Sequence, residues 1–108
     1  MSRHHFHLTY SIKHYKDTEK SFAVAKQVRD KIARTEFSDW TKVDNVETTF
    51  KGLLTLHSIS NSERRGEAEK LIKEAFAEII NELDATFEVW AHCSLMVGDL
   101  GESMEFSF

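Results

Sequence analysis

The sequence has 108 residues, of which 41% are hydrophobic and 30% are charged, and its formal net charge at pH 7 is −4. This balance fits one globular domain over residues 1–108 that is large enough to bury a core. No apolar run reaches the roughly 18 residues of a membrane span, and no secretory signal pattern is present, so we expect a cytosolic protein without a membrane partner. The single cysteine, Cys93, excludes an internal disulfide or a cysteine-based zinc site.

The charge is distributed unevenly along the chain. Residues 1–42 have a balance of +4, whereas residues 43–108 have a balance of −8. An acidic chain is a poor non-specific binder of nucleic acid, because affinity for phosphate depends on lysine and arginine contacts. The basic first part nevertheless permits a local site, although two solvated helices of opposite sign explain the same pattern.

The first predicted elements are a strand and a helix. Apolar and polar residues alternate strictly from Phe6 to Ile12, which is the period of a half-buried strand. Asp17 or Thr18 can cap the helix that follows. Its apolar stripe is Phe22, Ala25, Val28 and Ile32, and its basic face is Lys20, Lys26, Arg29, Lys31 and Arg34.

The middle of the chain predicts two strands and the longest helix. Residues 38–45 indicate a short strand and turn around Trp40, and residues 46–59 indicate a long strand rich in β-branched and aromatic side chains. Ser60 and Glu63 have the spacing of a capping box that opens a helix. The apolar stripe of this helix is Ala68, Leu71, Ile72, Ala75, Phe76, Ile79, Ile80 and Leu83.

Residues 86–98 predict a last long strand, and residues 102–108 predict a short closing strand or a strand at a dimer edge. One phase of the long strand is Phe87, Val89, Ala91, Cys93, Leu95 and Val97, and the other is Glu88, Trp90, His92, Ser94 and Met96.

The order strand, helix, strand, strand, helix, strand is typical of an α+β fold. It predicts a ferredoxin-like βαββαβ antiparallel sheet with two helices on one face, plus a short C-terminal strand. Short connections and right-handed crossovers place the first strand inside the sheet, beside the second long strand and the last one.

If the apolar phases face the helices, the opposite phases form an open face of the sheet. Antiparallel pairing near the middle of the first and last strands brings His7 and Thr9 across from His92 and Ser94. The same face would also present His5, Ser11, Lys13, Thr49, Lys51, Leu53, Thr55, His57, Trp90 and Met96.

One interpretation of this face is a metal-independent ribonuclease or phosphodiesterase. Two segments share one pattern: HLTY, which begins at His7, and HCSL, which begins at His92. In each, a histidine is followed by an apolar residue, a threonine or serine, and a second apolar residue. This pattern resembles the motif of two-histidine phosphoesterases. One imidazole would accept a proton and the other would donate one, while the Thr9 and Ser94 hydroxyls contact the phosphate. That family has two lobes and a longer chain, so whether this protein is an enzyme stays open.

A second interpretation is a metal site, because His5 and His7 point the same way and His92 or His57 could supply a third ligand. No carboxylate falls on the open face near the first strand. We therefore predict neither a metal nor another cofactor.

A third interpretation is a sheet that binds nucleic acid or a protein partner. Trp90 and Trp40 could stack on bases, and Lys13, Lys51 and the basic helix could lie near phosphates. His57 is a further candidate residue for binding nucleic acid or a partner. The alternative is a dimer interface across the open face, formed by Leu53, Trp90, Met96, Phe106 and Phe108.

The first half of the chain resembles small ferredoxin-fold nucleases, which include the CRISPR adaptation nuclease subunit and the VapD toxins. The residues that match are Tyr10 at the end of a strand, Trp40 after the helix, and Thr49 and Phe50 on the next strand. Ser11 stands where these families have a metal-binding aspartate, so the resemblance implies a fold, a tendency to dimerise and a nucleic-acid context rather than metal-dependent cleavage.

Together these patterns predict a small cytosolic binding or regulatory module of microbial or phage type. We expect a homodimer that uses its open face to bind nucleic acid, in particular RNA, or a protein partner. The alternative is the metal-independent ribonuclease with His7 and His92 as its acid–base pair.

Overall fold

The computed structural model describes residues 2–44 and 48–108. In these residues five strands form one sheet in the order β2-β3-β1-β4-β5, and every neighbouring pair is antiparallel. Part of the predicted segment 38–45 and of the predicted strand 46–59 lies outside the described residues. The elements are β1 (Ser2–His14), α1 (Glu19–Arg34), β2 (Trp40–Lys42), β3 (Thr49–Leu56), α2 (Asn61–Glu82), β4 (Val89–Val97) and β5 (Met104–Ser107).

The predicted α+β architecture with an antiparallel sheet and two helices is confirmed. β1 lies inside the sheet between β3 and β4, as the connections require, and the predicted closing strand pairs with β4 as β5. Among the described helices, neither is both long enough and apolar enough to cross a membrane.

The alternation of β1 places one row of side chains against the helices. Phe6, Leu8, Tyr10 and Ile12 are all buried, because successive side chains of a strand point to opposite faces. Both helices pack on that face and contact each other. Phe76 of α2 is fully buried among the rings of Tyr10, Phe37, Trp40 and Phe108.

Two side-chain caps fix where the helices begin. The Thr18 hydroxyl accepts the backbone N–H of Ser21 at 3.1 Å, so Thr18 rather than Asp17 is the N-cap of α1. The Ser60 hydroxyl accepts the N–H of Glu63 and donates to its carboxylate at 2.8 Å, so the predicted pair of Ser60 and Glu63 caps the start of α2.

The core differs from the predicted apolar stripes at two places. Phe22 is 51% exposed, and the neighbouring Ser21 is buried instead. Likewise Phe87 is 79% exposed, whereas Glu88 is only 8% exposed. The Ser21 hydroxyl donates a hydrogen bond of 2.5 Å to the Glu88 carboxylate, so one polar pair occupies the position predicted for two phenylalanines.

Candidate functional site

The predicted open face is the face of the sheet opposite the helices. We define the open face by the side chains that alternate with the buried row in each strand. They are Arg3, His5, His7, Thr9, Ser11 and Lys13 of β1, Thr49, Lys51, Leu53 and Thr55 of β3, Trp90, His92, Ser94 and Met96 of β4, and Glu105 and Ser107 of β5.

Hydroxyl groups occupy the centre of the open face. Thr9 pairs with Ser94, as predicted, and on its other side with Thr49, whose hydroxyl lies 3.4 Å from that of Thr9. A trough of about 580 Å³ follows β1, β4 and β5 here, and Ser11 and Ser107 also line it. Thr49 is buried, so the hydroxyls of Thr9, Ser11, Ser94 and Ser107 are the ones that can donate to or accept from the polar groups of a ligand.

The structure does not bring the two candidate catalytic histidines together. His7 lies opposite Met96, and His92 lies opposite Ser11. The two histidines are therefore four residues apart along the paired strands, which is about 13 Å. His92 Nδ1 instead shares a hydrogen bond of 2.7 Å with the Ser107 hydroxyl. Of the four residues predicted to lie across from one another, only Thr9 and Ser94 do so, because in this antiparallel register His7 lies opposite Met96 and His92 opposite Ser11.

The histidines do not converge on a metal site either. His5 pairs with Leu53, two residues from His7 and six from the position opposite His92. β3 ends at Leu56, so His57 is not on the strand, and its backbone N–H donates to the Glu67 carboxylate in the turn before α2. Over the described ranges, no three histidine, cysteine or acidic side chains are close enough to hold a metal ion.

An aromatic stack lies at the end of the open face where β4 begins. The ring of Trp90 is parallel within 12° to the rings of Tyr15 and His92, at centroid distances of 5.4 and 5.9 Å. Trp90 is 41% exposed and Tyr15 is 55% exposed. Lys13 pairs with Trp90 across the strands, so a cation stands beside the stack. We call Tyr15, Trp90 and His92 the aromatic stack.

Trp40 does not join this surface. Its ring contacts Phe6 at 5.2 Å and Phe37 at 4.5 Å, both on the helix side of the sheet. The basic face of α1 is also turned away from the open face, since α1 packs on the opposite side of the sheet. Three of its side chains have partners there: Arg29 donates to the Ile12 carbonyl, Lys31 pairs with Glu82 at 2.6 Å, and Lys20 pairs with Glu88 at 3.7 Å.

The open face is basic although the chain is acidic. It carries Arg3, Lys13 and Lys51 against the carboxylates of Glu105 and of Asp39, which reaches Arg3 from just before β2, whereas the formal charge of the chain is −4. Arg3 pairs with Asp39 at 3.7 Å. Within the described residues 2–44 and 48–108, neither Lys13 nor Lys51 forms a salt bridge. Both ammonium groups can therefore contact an anionic ligand.

The groups beneath the open face do not supply a nucleophile at neutral pH. Burial raises the pKa of the Cys93 thiol to about 12, and burial with the nearby Cys93 raises the pKa of Tyr10 to about 12. The Ser21 hydrogen bond, helped by Lys16 and Lys20, lowers the pKa of Glu88. Glu88 is thus a charged anchor between α1 and β4 that does not reach the open face.

Sequence reasoning missed Tyr15, Glu105 and Ser107 as members of this surface. All three follow the alternation that identified the others: Tyr15 is two residues beyond Lys13, and Glu105 and Ser107 alternate with the half-buried or buried residues of β5. Extending the same period beyond the predicted strand end would have found them.

Comparison with models of protein families, with curated protein sequences and with solved structures yields no match to this chain. The resemblance of the first half to small ferredoxin-fold nucleases therefore stays a prediction, and the assignment of a function depends on the geometry of the open face.

Proposed function

We propose that this protein is a small cytosolic module that binds single-stranded RNA on the open face of its sheet. The observation that carries the proposal is the exposed aromatic stack of Tyr15, Trp90 and His92, with Lys13 beside it. Unpaired bases stack on aromatic side chains of sheet surfaces, and one such contact contributes about 1–3 kcal/mol.

The polar part of the open face suits the backbone of the same strand. Lys13 and Lys51 can contact phosphates, and the hydroxyls of Thr9, Ser11 and Ser94 can contact phosphate or ribose oxygens. Lys13 and the position of Lys51 are six residues apart along β1, which is about 20 Å. A single strand that runs along β1 would meet the stack first, then the hydroxyls, and then Lys51.

The arrangement of the strands supports the finer description of the fold within this proposal. β1 to β4 have the order β2-β3-β1-β4 with antiparallel neighbours, and we assign this part to the ferredoxin-like βαββαβ architecture with β5 added at the edge. The homodimer stays a prediction. β2 and β5 are the outer strands of the sheet, and pairing through β5 would leave the open face free for RNA.

The ribonuclease alternative has less support than binding. A metal-independent phosphodiesterase needs its acid and its base at one phosphate, and the distance of about 13 Å between the positions of His7 and His92 along the strands separates them. A protein partner stays open as a use of the same face, but the free lysines and the stacked rings favour an anionic ligand with planar bases.

Titration of a short fluorescein-labelled oligouridylate, followed by anisotropy at about 50 and about 200 mM salt, tests the proposal. We expect measurable affinity that falls with salt, and each of Lys13→Gln and Lys51→Gln should reduce the slope of log affinity against log salt by about 0.7. Lys70→Gln is the matched control, because Lys70 lies on α2 and pairs with Glu74 at 3.9 Å. Absence of binding, or equal effects of all three substitutions, would contradict the proposal.

A further inference from the structure

A groove of about 330 Å³ lies at the end of the sheet where β4 begins. We call it the corner groove; its lining residues are Tyr15, Thr86, Phe87, Val89, Trp90 and Phe108. It adjoins the aromatic stack, because Tyr15 and Trp90 belong to both. The groove therefore continues the open face past the stack.

The walls of the corner groove are aromatic and exposed. Phe87 has 79% of its surface in contact with solvent, and Trp90 and Tyr15 are also exposed. Burial of large aromatic side chains is favourable, so three of them at one surface indicate a contact with a ligand. A volume of about 330 Å³ is at the lower end of the range of small-molecule pockets. A single planar ring suits such a site better than a folded partner.

Three lysines lie near the corner groove in the chain, and one of them is on the open face. Lys13 pairs with Trp90, and the ammonium groups of Lys16 and Lys20 lie 4.0 and 3.7 Å from one carboxylate oxygen of Glu88. Glu88 is largely buried on the helix side, so Lys16 and Lys20 are held there, and Lys13 is the cation that lies next to the aromatic stack. An anionic ligand with a planar apolar part complements both features.

We propose that the corner groove receives one unstacked base of the bound strand, held between the aromatic stack and Phe87, with its phosphate near Lys13. This inference rests on the proposed binding of RNA and adds a base-binding site to it. Insertion of an extruded base among aromatic side chains is the common way in which proteins recognise single-stranded RNA. The site therefore makes affinity depend on the bases and not only on the backbone.

Phe87→Ala tests the inference with two probes of equal charge, an oligouridylate and an abasic oligonucleotide of the same length. The phenylalanine is mostly exposed, so the variant should keep the unfolding temperature of the native protein. We expect Phe87→Ala to weaken binding of the oligouridylate about tenfold and to leave binding of the abasic probe unchanged. Phe22→Ala, which removes an exposed aromatic ring of α1 outside the groove, should bind both probes as the native protein does.

The possible outcomes separate this inference from the proposed function. If Phe87→Ala binds oligouridylate with native affinity while Lys13→Gln weakens binding, the groove does not take a base and the open face still binds RNA. If neither probe binds the native protein, both proposals fail. If Phe87→Ala abolishes binding to anionic phosphatidylserine vesicles but not to oligouridylate, the groove contacts a lipid surface and the inference is overturned.

Discussion

Replacement of Phe76 with alanine is expected to lower the free energy of unfolding by about 3–5 kcal/mol, the range for truncation of a buried aromatic side chain. Phe76 is fully buried, and its ring lies 5.1 Å from the ring of Tyr10 and 6.4 Å from that of Trp40. The substitution leaves a cavity where α2 meets β1 and the start of β2. Denaturant unfolding followed by tryptophan fluorescence measures the loss, since Trp40 is in the same aromatic cluster.

Phe22→Ala provides the matched control for this prediction. It removes the same side chain from α1, where 51% of Phe22 is exposed and its ring contacts His14 at 4.0 Å. The control should lower the free energy of unfolding much less, because it removes less buried apolar area than Phe76→Ala does. Equal losses in the two variants would contradict the placement of Phe76 in the core.

The second large effect is expected at Gly52 of β3. A Cβ at this position would overlap the backbone carbonyl oxygen of Asp39 and lie 2.9 Å from the Cα of Trp40. The same carbonyl accepts the N–H of Leu53 at 3.0 Å, so the backbone of β2 cannot move away without loss of this bond. Gly52→Ala should therefore lower the free energy of unfolding by about 2 kcal/mol or more, as overpacked sites do.

Gly66→Ala distinguishes a steric effect from a general effect of glycine replacement. Gly66 lies in the exposed part of α2, and a Cβ there meets no atom within 4 Å. Alanine favours a helix interior over glycine by about 0.5–1 kcal/mol, so this variant should be more stable than the native protein. Calorimetric unfolding of both variants should give opposite signs; a stable Gly52→Ala protein would contradict the close approach of β2 and β3.

The sequence predicted which side of each long strand is buried, and it predicted the helix starts. Strict alternation over Phe6–Ile12 leaves one arrangement in which all apolar side chains reach the core, and the structure has it. Ser60 and Thr18 were identifiable as caps because their hydroxyls can accept orphan N–H groups at a helix start. These features depend on neighbours in the chain, so a single sequence contains them.

The register between β1 and β4 was not determined in the same way. A shift of one residue would turn the buried side chains of β4 outward, but a shift of two keeps every apolar side chain in the core. A shift of four residues has the same property and would let His7 face His92, whereas in the structure His7 faces Met96. The choice among such registers depends on contacts between distant segments, such as the packing of β5 on β4.

The remaining differences between the predicted and the observed structure arise where polar groups and aromatic rings contact residues that are distant in the sequence. Ser21 and Glu88 form a buried hydrogen bond although 67 residues separate them, and Phe22 and Phe87 stay in solvent beside them. Trp40 packs on Phe6 and Phe37 and therefore does not belong to the open face, where it was predicted. No local pattern contains these pairs, because the fold creates them.

The most direct test of RNA binding on the open face is a map of backbone amide and indole chemical shifts in isotope-labelled protein as unlabelled oligouridylate is added. The proposal predicts that shifts concentrate at Thr9, Ser94 and the Trp90 indole, which lie on the open face, while Lys70 and Glu74 of α2 on the opposite side do not change. Shifts confined to α1 and α2, or an unchanged spectrum at saturating oligouridylate, would contradict it.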